Sequence, residues 1–333
     1  MQRQHMKPPI RFFFLVGTLA LLSGCLPNGF VVKPISTNQN LREETLYSES
    51  LFPDGAIAII DVEGVLINAE TPSLLMSGEH PVAKFLEELD KARRSHSVKA
   101  VVLRVNSPGG SVTASELMHN EIMRFRESGK PVVVMMMDVA ASGAYYISCA
   151  ADEIIACRST VTGSIGVIMQ TIEFTGTMQK IGMKADAITS GPMKAAGNPL
   201  EPLTPEQREV FQNIVNSMYA QFVDVVAAGR PKLSREQAET LADGRVYTAE
   251  QALGLGLIDR IGSMQDAIAV AKQRAGVRNA RIVSYIRPYG YVANYYGSAP
   301  ASPPSADLNL LKVEMDRGIE SARSPFMYLW EHP

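Results

Sequence analysis

The sequence predicts an α/β fold in which helices cover both faces of a largely parallel sheet. From Ala56 onwards, short apolar runs typical of strands alternate with amphipathic segments typical of helices. The strand runs are continuously apolar, which is the pattern of parallel strands buried on both faces. The chain has 333 residues, of which 46% are hydrophobic and 20% charged. It is therefore long enough to bury one large core or two modest ones.

The elements alternate in the order that βαβ units require. The predicted elements are a strand at 56–60, a helix at 82–94, a strand at 100–105, a helix at 114–127, a strand at 132–137, a short helix at 142–150 and strands at 153–156 and 166–170. A capping box at Thr204–Gln207, with proline at the first helical position, then predicts a long helix. Its apolar stripe, Val210 to Val226, predicts core packing, and contact between subunits is the alternative. Further capping boxes begin at Ser234 and Thr248 and predict two shorter helices.

The N-terminus has the pattern of a secretion signal. Residues 1–24 contain three basic residues and no acidic one, and the uncharged run 12–22 is shorter than the roughly 20 residues that span a bilayer. The run ends in Leu22-Ser23-Gly24-Cys25, which resembles a bacterial lipobox and predicts acylation of Cys25. An ordinary signal with an incidental cysteine is the alternative. Residues 25–53 are predicted to be a tether, 54–284 the folded domain and 285–333 a tail rich in Tyr, Pro and Ser, in which 308–330 could hold a short helix.

Charge and cysteine content exclude several classes of function. The formal net charge is −2 and the basic residues are scattered, which disfavours nucleic-acid binding. Cys25, Cys149 and Cys157 lack the paired spacing and the nearby histidines of a zinc site, so no metal or other cofactor is predicted. Whether Cys149 and Cys157 pair with each other is left open.

Two strand-to-helix junctions carry residues suited to catalysis. The first is the glycine pair in Asn106-Ser107-Pro108-Gly109-Gly110-Ser111, which could present backbone amides to an oxyanion. The second is Ser142, which lies among small residues that would let a substrate backbone approach. Each pattern has a structural alternative, a tight turn for the glycines and a helix cap for the serine.

A serine nucleophile needs a general base, and the histidines are poorly placed to supply one. Only His119 falls within a predicted helix of the folded domain, where a structural role is the simpler interpretation. Lys194 is the alternative base, because its neighbours from Ser190 to Gly197 are small or apolar. A buried lysine can lose its charge and accept a proton.

Five motifs, in this order and spacing, resemble the bacterial signal peptide peptidase A family. They are Asn106-Ser107-Pro108-Gly109-Gly110, Ala141 to Tyr146, Thr162 to Val167, Ser190 to Lys194 and Asp243 to Tyr247. The resemblance, over roughly residues 56–275, implies a crotonase-like (Clp-protease-like) fold and a Ser/Lys dyad. By position it implies that Ser142 is the nucleophile, Lys194 the general base, Ser164 the hydroxyl that orients the lysine and Gly109 the backbone donor of the oxyanion hole. Ala144 departs from the glycine of many relatives, and we expect it to be tolerated.

The resemblance also implies an assembly and a substrate class. The motifs occur once, which is typical of short-form members, in which neighbouring subunits of a homo-oligomer share each Ser/Lys dyad. The expected activity is a serine endopeptidase that cleaves signal peptide remnants and other extended apolar peptides. It would act at the periplasmic face of the cell envelope, anchored through the lipid on Cys25, in either the inner or the outer membrane. The alternatives are an acyl-CoA hydratase or isomerase on the same fold and a catalytically silent lipoprotein scaffold.

Overall fold

The computed structural model describes residues 41–69, 80–286 and 326–330. The strands are β1 Arg42–Ser48, β2 Gly55–Glu63, β3 Val98–Ser107, β4 Gly109–Ser111, β5 Val132–Ala141, β6 Glu153–Ala156, β7 Val161–Gly163, β8 Ile168–Met169, β9 Val246–Thr248, β10 Arg260–Ile261, β11 Ala280–Ile286 and β12 Phe326–Leu329. The helices are α1 Pro81–Arg94, α2 Val112–Glu127, α3 Gly143–Ser148, α4 Thr175–Lys180, α5 Pro205–Gly229, α6 Arg235–Leu241, α7 Ala249–Gly254 and α8 Met264–Ala275.

A nine-stranded sheet forms the centre of the fold. Its main path runs β1-β11-β2-β3-β5-β6-β10, and β7 extends it by pairing with β5 and β9. Every pair from β11 to β10 on this path is parallel, and β1 joins β11 antiparallel. A separate three-stranded sheet has the order β4-β12-β8. The predicted α/β class is confirmed.

Both faces of the central sheet are buried, as the continuously apolar strands predict. Along β2, Ala58 and Ile60 belong to one core cluster, which also contains residues of α1, α2, α3 and α5. Ile57 and Ile59 alternate with them and belong to a second cluster, which includes the apolar residues of α8. The period-two alternation of side chains sends neighbouring residues to opposite faces, so the covered part of β2, Ala56–Ile60, is continuously apolar, and its polar residues Asp61 and Glu63 lie at the less covered end.

Two predicted boundaries are corrected. Residues 42–48, predicted to belong to the tether, form β1 and pair with β11. Near the C-terminus, Phe326–Leu329 is a strand instead of the end of a short helix. Neither segment has a clear periodic pattern of apolar residues. Both are strands because they pair with strands that are distant in the sequence. Cys25 and the signal segment lie outside the described residues.

Helix α5 is longer and less buried than its apolar stripe predicts. Its capping box at Thr204 is confirmed. However, only Phe222, Val223 and Val226 of the stripe are fully buried, while Val210 near the N-terminal end is exposed. The helix therefore packs on the core through its C-terminal part alone. Across the described ranges, no helix is both long and apolar enough to cross a membrane.

Candidate active site

Ser142 lies at the junction of β5 and α3 in a conformation that few non-glycine residues adopt. Its backbone has φ 53° and ψ −115°, a strained combination worth about 1–3 kcal/mol. The Ser142 amide donates to the Gly163 carbonyl at 2.8 Å, and the Ser142 carbonyl accepts from the Tyr146 amide at 2.8 Å, which holds the turn in place. The residue is only 1% exposed, and its side chain makes no cap hydrogen bond. The helix-cap interpretation of Ser142 is therefore not supported.

Ser164 is positioned beside Ser142 by strand pairing. Strands β5 and β7 are parallel, with Ala141 opposite Gly163, so the two serines are the next residues of their strands. Ser164 also has a positive φ of 48°, and its amide donates to the Arg245 carbonyl at 2.8 Å. Both serines line one cavity of about 510 Å³. The structure thus brings together the predicted nucleophile and the predicted lysine-orienting hydroxyl.

The glycine turn forms strand β4, which pairs with β12. On one side, the Leu66 amide donates to the Gly109 carbonyl and the Ser111 amide donates to the Leu66 carbonyl, both at 2.8 Å. Polar groups of successive strand residues point to opposite sides, so the amide and carbonyl of Gly110 face away from Leu66, towards β12. The Gly109 amide donates to the Ser107 hydroxyl oxygen at 3.1 Å. The Gly110 amide therefore faces β12, whereas the amide of Gly109, the residue that the family resemblance implies as oxyanion donor, donates to Ser107.

Neither glycine of this strand has room for a side chain. A Cβ at Gly110 would collide with the backbone of Leu66. A Cβ at Gly109, whose φ is +100°, would lie 2.7 Å from the Gly143 amide nitrogen. The two glycines therefore let β4 approach the first amide after Ser142, which is the arrangement that an oxyanion site between Gly110 and Gly143 requires.

Lys194 is not brought to this cavity within one chain. It lies in an exposed turn in which its amide donates to the Gly191 carbonyl at 3.0 Å, and it is absent from the residues that line the cavity. The single chain thus assembles Ser142, Ser164 and the glycine strand, and leaves the predicted general base outside.

The other residues considered for catalysis or metal binding, His119 and the two cysteines of the folded domain, lie in ordinary packing environments. The ring of His119 packs edge-on against Tyr146 with centroids 5.2 Å apart, and burial lowers the pKa of the imidazole. Cys149 and Cys157 are both free thiols, and burial raises the pKa of Cys149 to about 12. No cluster of three or more metal-ligating side chains occurs within the described ranges.

The sequence analysis missed one contributor, the C-terminal strand β12. Leu329 and Trp330 line the cavity together with Ser142 and Ser164. The only local signal is the apolar run Phe326-Met327-Tyr328-Leu329-Trp330 that follows Pro325, in a region otherwise rich in Gly, Pro and Ser. A run this short is compatible with a helix or a strand, so pattern alone could not place it.

Known proteins resemble this chain over most of its folded part. The sequence profile of peptidase family S49 matches residues 124–278. Protease 4 of Haemophilus influenzae is 39% identical over 222 residues, covering 67% of this chain and 35% of that protein. A signal peptide peptidase SppA of Enterococcus faecium is 33% identical over 262 residues, covering 78% of this chain and 75% of the relative. Among solved structures, a ClpP1 variant from Listeria monocytogenes is 16% identical, with a TM-score of 0.41 over 63% of this chain and 94% of that one.

The profile match contains Ser142, Ser164 and Lys194. The chain spans about a third of the length of the Haemophilus protein and three quarters of that of the Enterococcus relative. The identity over the second of these spans leads to one conclusion. The chain belongs to peptidase family S49, the family of signal peptide peptidase A.

Proposed function

We propose that this chain is a membrane-tethered serine endopeptidase that hydrolyses signal peptide remnants and other extended apolar peptides. Ser142 is the nucleophile, Lys194 of a neighbouring subunit is the general base and Ser164 orients the lysine. The observation that carries this proposal is the strained, buried Ser142, whose hydroxyl does not cap its helix and which lines a cavity together with Ser164.

The reaction follows from these positions. The Ser142 hydroxyl oxygen attacks the peptide carbonyl carbon, and the Lys194 amine accepts the hydroxyl proton. The amides of Gly110 and Gly143 stabilise the negative charge that develops on the carbonyl oxygen. The lysine then passes its proton to the leaving amine. A water molecule, activated by Lys194, hydrolyses the acyl-enzyme and restores Ser142.

The surroundings of Lys194 support a contribution from a second subunit. Large apolar side chains are exposed throughout the segment that contains it: Ile172, Phe174, Ile181, Met183, Ile188 and Met193. Val210, at the start of α5, is exposed as well. An apolar surface of this kind favours contact with another protein surface. Contact between copies of the chain would bury it and could bring Lys194 of one copy to Ser142 of the next.

Membrane tethering rests on the sequence before β1. Acylation of Cys25 would hold the enzyme at the periplasmic face of the cell envelope, where several acyl chains give durable anchoring and one chain gives only marginal binding. Remnants of signal peptides are extended, apolar and produced at a membrane, so an anchored enzyme would meet them there.

The test is labelling with a serine-directed fluorophosphonate probe, followed by mapping of the modified peptide. We expect the probe on Ser142, and we expect Ser142→Ala to lower hydrolysis of a peptide reporter by about 10⁴-fold or more. Ser148→Ala is the matched control. Ser148 is a buried serine of the same region whose hydroxyl donates to the Ala144 carbonyl at 2.6 Å. That variant should keep its activity.

The same experiment separates the alternatives. A silent scaffold would take no label at Ser142 and would cleave no reporter. An acyl-CoA hydratase or isomerase would hydrate or isomerise an acyl-CoA thioester, and Ser142→Ala would not abolish that reaction. Membership of peptidase family S49 favours the peptidase.

A further inference from the structure

The motif Asp243 to Tyr247 lies beside Ser164 but takes no part in the chemistry proposed above. It forms the turn after α6 and the start of β9. Its first two residues, Asp243 and Gly244, line the cavity that also contains Ser142 and Ser164. The motif therefore reaches the proposed site from a later part of the chain, at the position of the lysine-orienting serine.

The strained backbone of Ser164 is held by this turn. A positive φ, here 48°, persists at a residue other than glycine only where the neighbouring structure enforces it. The Ser164 amide donates to the Arg245 carbonyl at 2.8 Å. The Gly244 amide donates to the Ile165 carbonyl at 3.1 Å. These two hydrogen bonds enclose Ser164 and continue the antiparallel pairing of β7 with β9.

The Asp243 carboxylate restrains the residue that supplies the acceptor for Ser164. Its Oδ1 accepts from the Arg245 amide at 3.1 Å, which closes a turn that aspartate favours. The Arg245 Nε donates to both carboxylate oxygens at 2.8 and 2.7 Å, and Nη2 donates to Oδ2. These hydrogen bonds from Arg245 lower the pKa of Asp243, so the carboxylate stays charged at neutral pH. Asp243 therefore binds both the main chain and the side chain of Arg245.

The other end of the motif is anchored independently by Tyr247. A Cβ at Gly163, whose φ is +87°, would lie 2.6 Å from Cδ2 of the Tyr247 ring. Glycine therefore lets the ring pack directly on the backbone that precedes Ser164. The Tyr247 hydroxyl donates to the Leu241 carbonyl at 3.1 Å. A substitution at Asp243 should thus loosen the turn and leave β9 in place.

We propose that Asp243 is a positioning residue for Ser164. Its carboxylate fixes the turn that holds Ser164, and it thereby fixes the point at which the Ser164 hydroxyl meets the Lys194 amine. The inference rests on the serine peptidase function proposed above, in which Ser164 orients Lys194. Asp243 acts without contacting the substrate, because Arg245 engages both of its carboxylate oxygens.

Reporter kinetics of the full chain provide the first test. Asp243→Ala should lower kcat by about 10-fold to 100-fold, because a displaced orienting hydroxyl misplaces the general base. It should change KM by less than about twofold, because no contact with the substrate is lost. Asp243→Asn should recover most of kcat, since the amide oxygen of asparagine can still accept from the Arg245 amide. A direct effect of the Asp243 charge would be lost in both variants, so equal losses of kcat would overturn the proposal.

A double-mutant cycle tests whether Asp243 acts through Ser164. Two residues that serve one function are not additive, so Asp243→Ala should lower kcat by less than about twofold once Ser164→Ala is present. Losses of kcat that multiply in the double variant would contradict the inference. A parent-like kcat in Ser164→Ala alone would contradict it as well, because the turn would then hold no orienting hydroxyl, and Ser142 would still stand as the nucleophile.

Hydrogen–deuterium exchange tests the contact without catalysis. The Ser164 amide should exchange faster in Asp243→Ala than in the parent chain, and Asp243→Asn should keep the slow exchange. The matched control is Asp224→Ala, which removes an exposed carboxylate of α5 that accepts from the Arg235 Nε at 2.7 Å and does not line the cavity. It should keep the kcat and the exchange rate of the parent.

Unchanged exchange of the Ser164 amide in Asp243→Ala would refute the inference, whatever the activity. Failure of the peptidase proposal would appear separately, as an unlabelled Ser142.

Discussion

At the scale of single residues, the site depends on backbone conformations that most amino acids avoid. Among the described residues, Ser142 and Ser164 are the only ones other than glycine with positive φ. They follow adjacent parallel strands, and each donates its amide to a carbonyl of another segment. Strain of this kind persists where neighbouring structure enforces it, and it concentrates at active sites. Here both residues line the same cavity.

Glycine at position 110 is required by the closeness of Leu66. We expect Gly110→Ala to destabilise the fold by about 1–3 kcal/mol, since the added Cβ must push the Leu66 backbone away from β4. The displaced strand would also misplace the Gly110 amide, so reporter hydrolysis should fall. Urea denaturation and reporter kinetics measure the two effects.

Gly254→Ala is the control for this substitution. Nothing lies within 4 Å of the position its Cβ would take, and its φ is not in the left-handed range. It should change the unfolding free energy by less than about 1 kcal/mol. Equal stability for Gly110→Ala and the parent chain would contradict the close approach of β4 and Leu66.

At the scale of elements, an ion pair connects the end of α5 to the sheet, with the Arg230 side chain 6% exposed and that of Asp259 25% exposed. The guanidinium of Arg230, just after α5, donates to both oxygens of Asp259 at 2.8 and 2.7 Å. Asp259 also accepts from the Ile154 amide of β6 at 2.9 Å. Burial by itself would raise the pKa of Asp259, but the hydrogen bonds from Arg230 and Ile154 outweigh it and the pKa lies below the ordinary value. The pair therefore holds the part of α5 that packs on the core.

This ion pair predicts a pH-dependent stability. A carboxyl whose pKa is depressed by folding stabilises the protein above its unfolded pKa of about 3.9, and the contribution is lost as the pH falls through the folded value. We expect Asp259→Asn to lower the unfolding free energy by about 1–3 kcal/mol at pH 7, because the buried Arg230 loses its charged partner. The difference from the parent chain should shrink below about pH 4.

Denaturant titrations at several pH values measure this difference. Glu250→Gln is the matched control, because it removes an ion pair with Arg158 in which both side chains are largely exposed. Its effect should stay below about 1 kcal/mol at every pH. If Asp259→Asn lowered the unfolding free energy by the same amount at every pH, the loss would come from packing and not from the charge of Asp259.

At the scale of the whole molecule, the proposed dyad would make catalysis a property of the assembly, because Lys194 is exposed and does not line the cavity of its own chain. If each site joins Ser142 of one subunit to Lys194 of its neighbour, Ser142→Ala and Lys194→Ala subunits should complement each other. In a random mixture within a closed ring, about a quarter of the sites would combine an intact serine with an intact lysine. Coexpression with two different tags, sequential purification and reporter kinetics measure the recovery.

Each variant alone is the control and should be inactive. A dyad formed within one chain would give mixed oligomers without activity, since every chain would lack one half of its dyad. That result would require the Lys194 turn to fold back onto Ser142 of its own chain.

Much of this protein is determined locally, by its sequence. The apolar runs of β2, β3 and β5 predict buried parallel strands, because a strand covered on both faces has no position for a polar side chain. The capping box at Thr204 predicts where α5 begins, because the side chains of Thr204 and Gln207 satisfy backbone groups a few residues away. Ser142 and the glycine turn can be proposed as reacting groups for a similar reason, since small neighbours and strand-to-helix junctions are visible in the sequence.

Only the tertiary structure decided which groups meet. The pairing of Ala141 with Gly163 sets Ser142 beside Ser164, and the contact with Leu66 leaves the Gly110 amide facing β12. Strand β12 finds its partners more than 150 residues earlier in the chain. Such contacts depend on strand register and on which edge of a strand is already occupied, and neither is encoded in a local pattern.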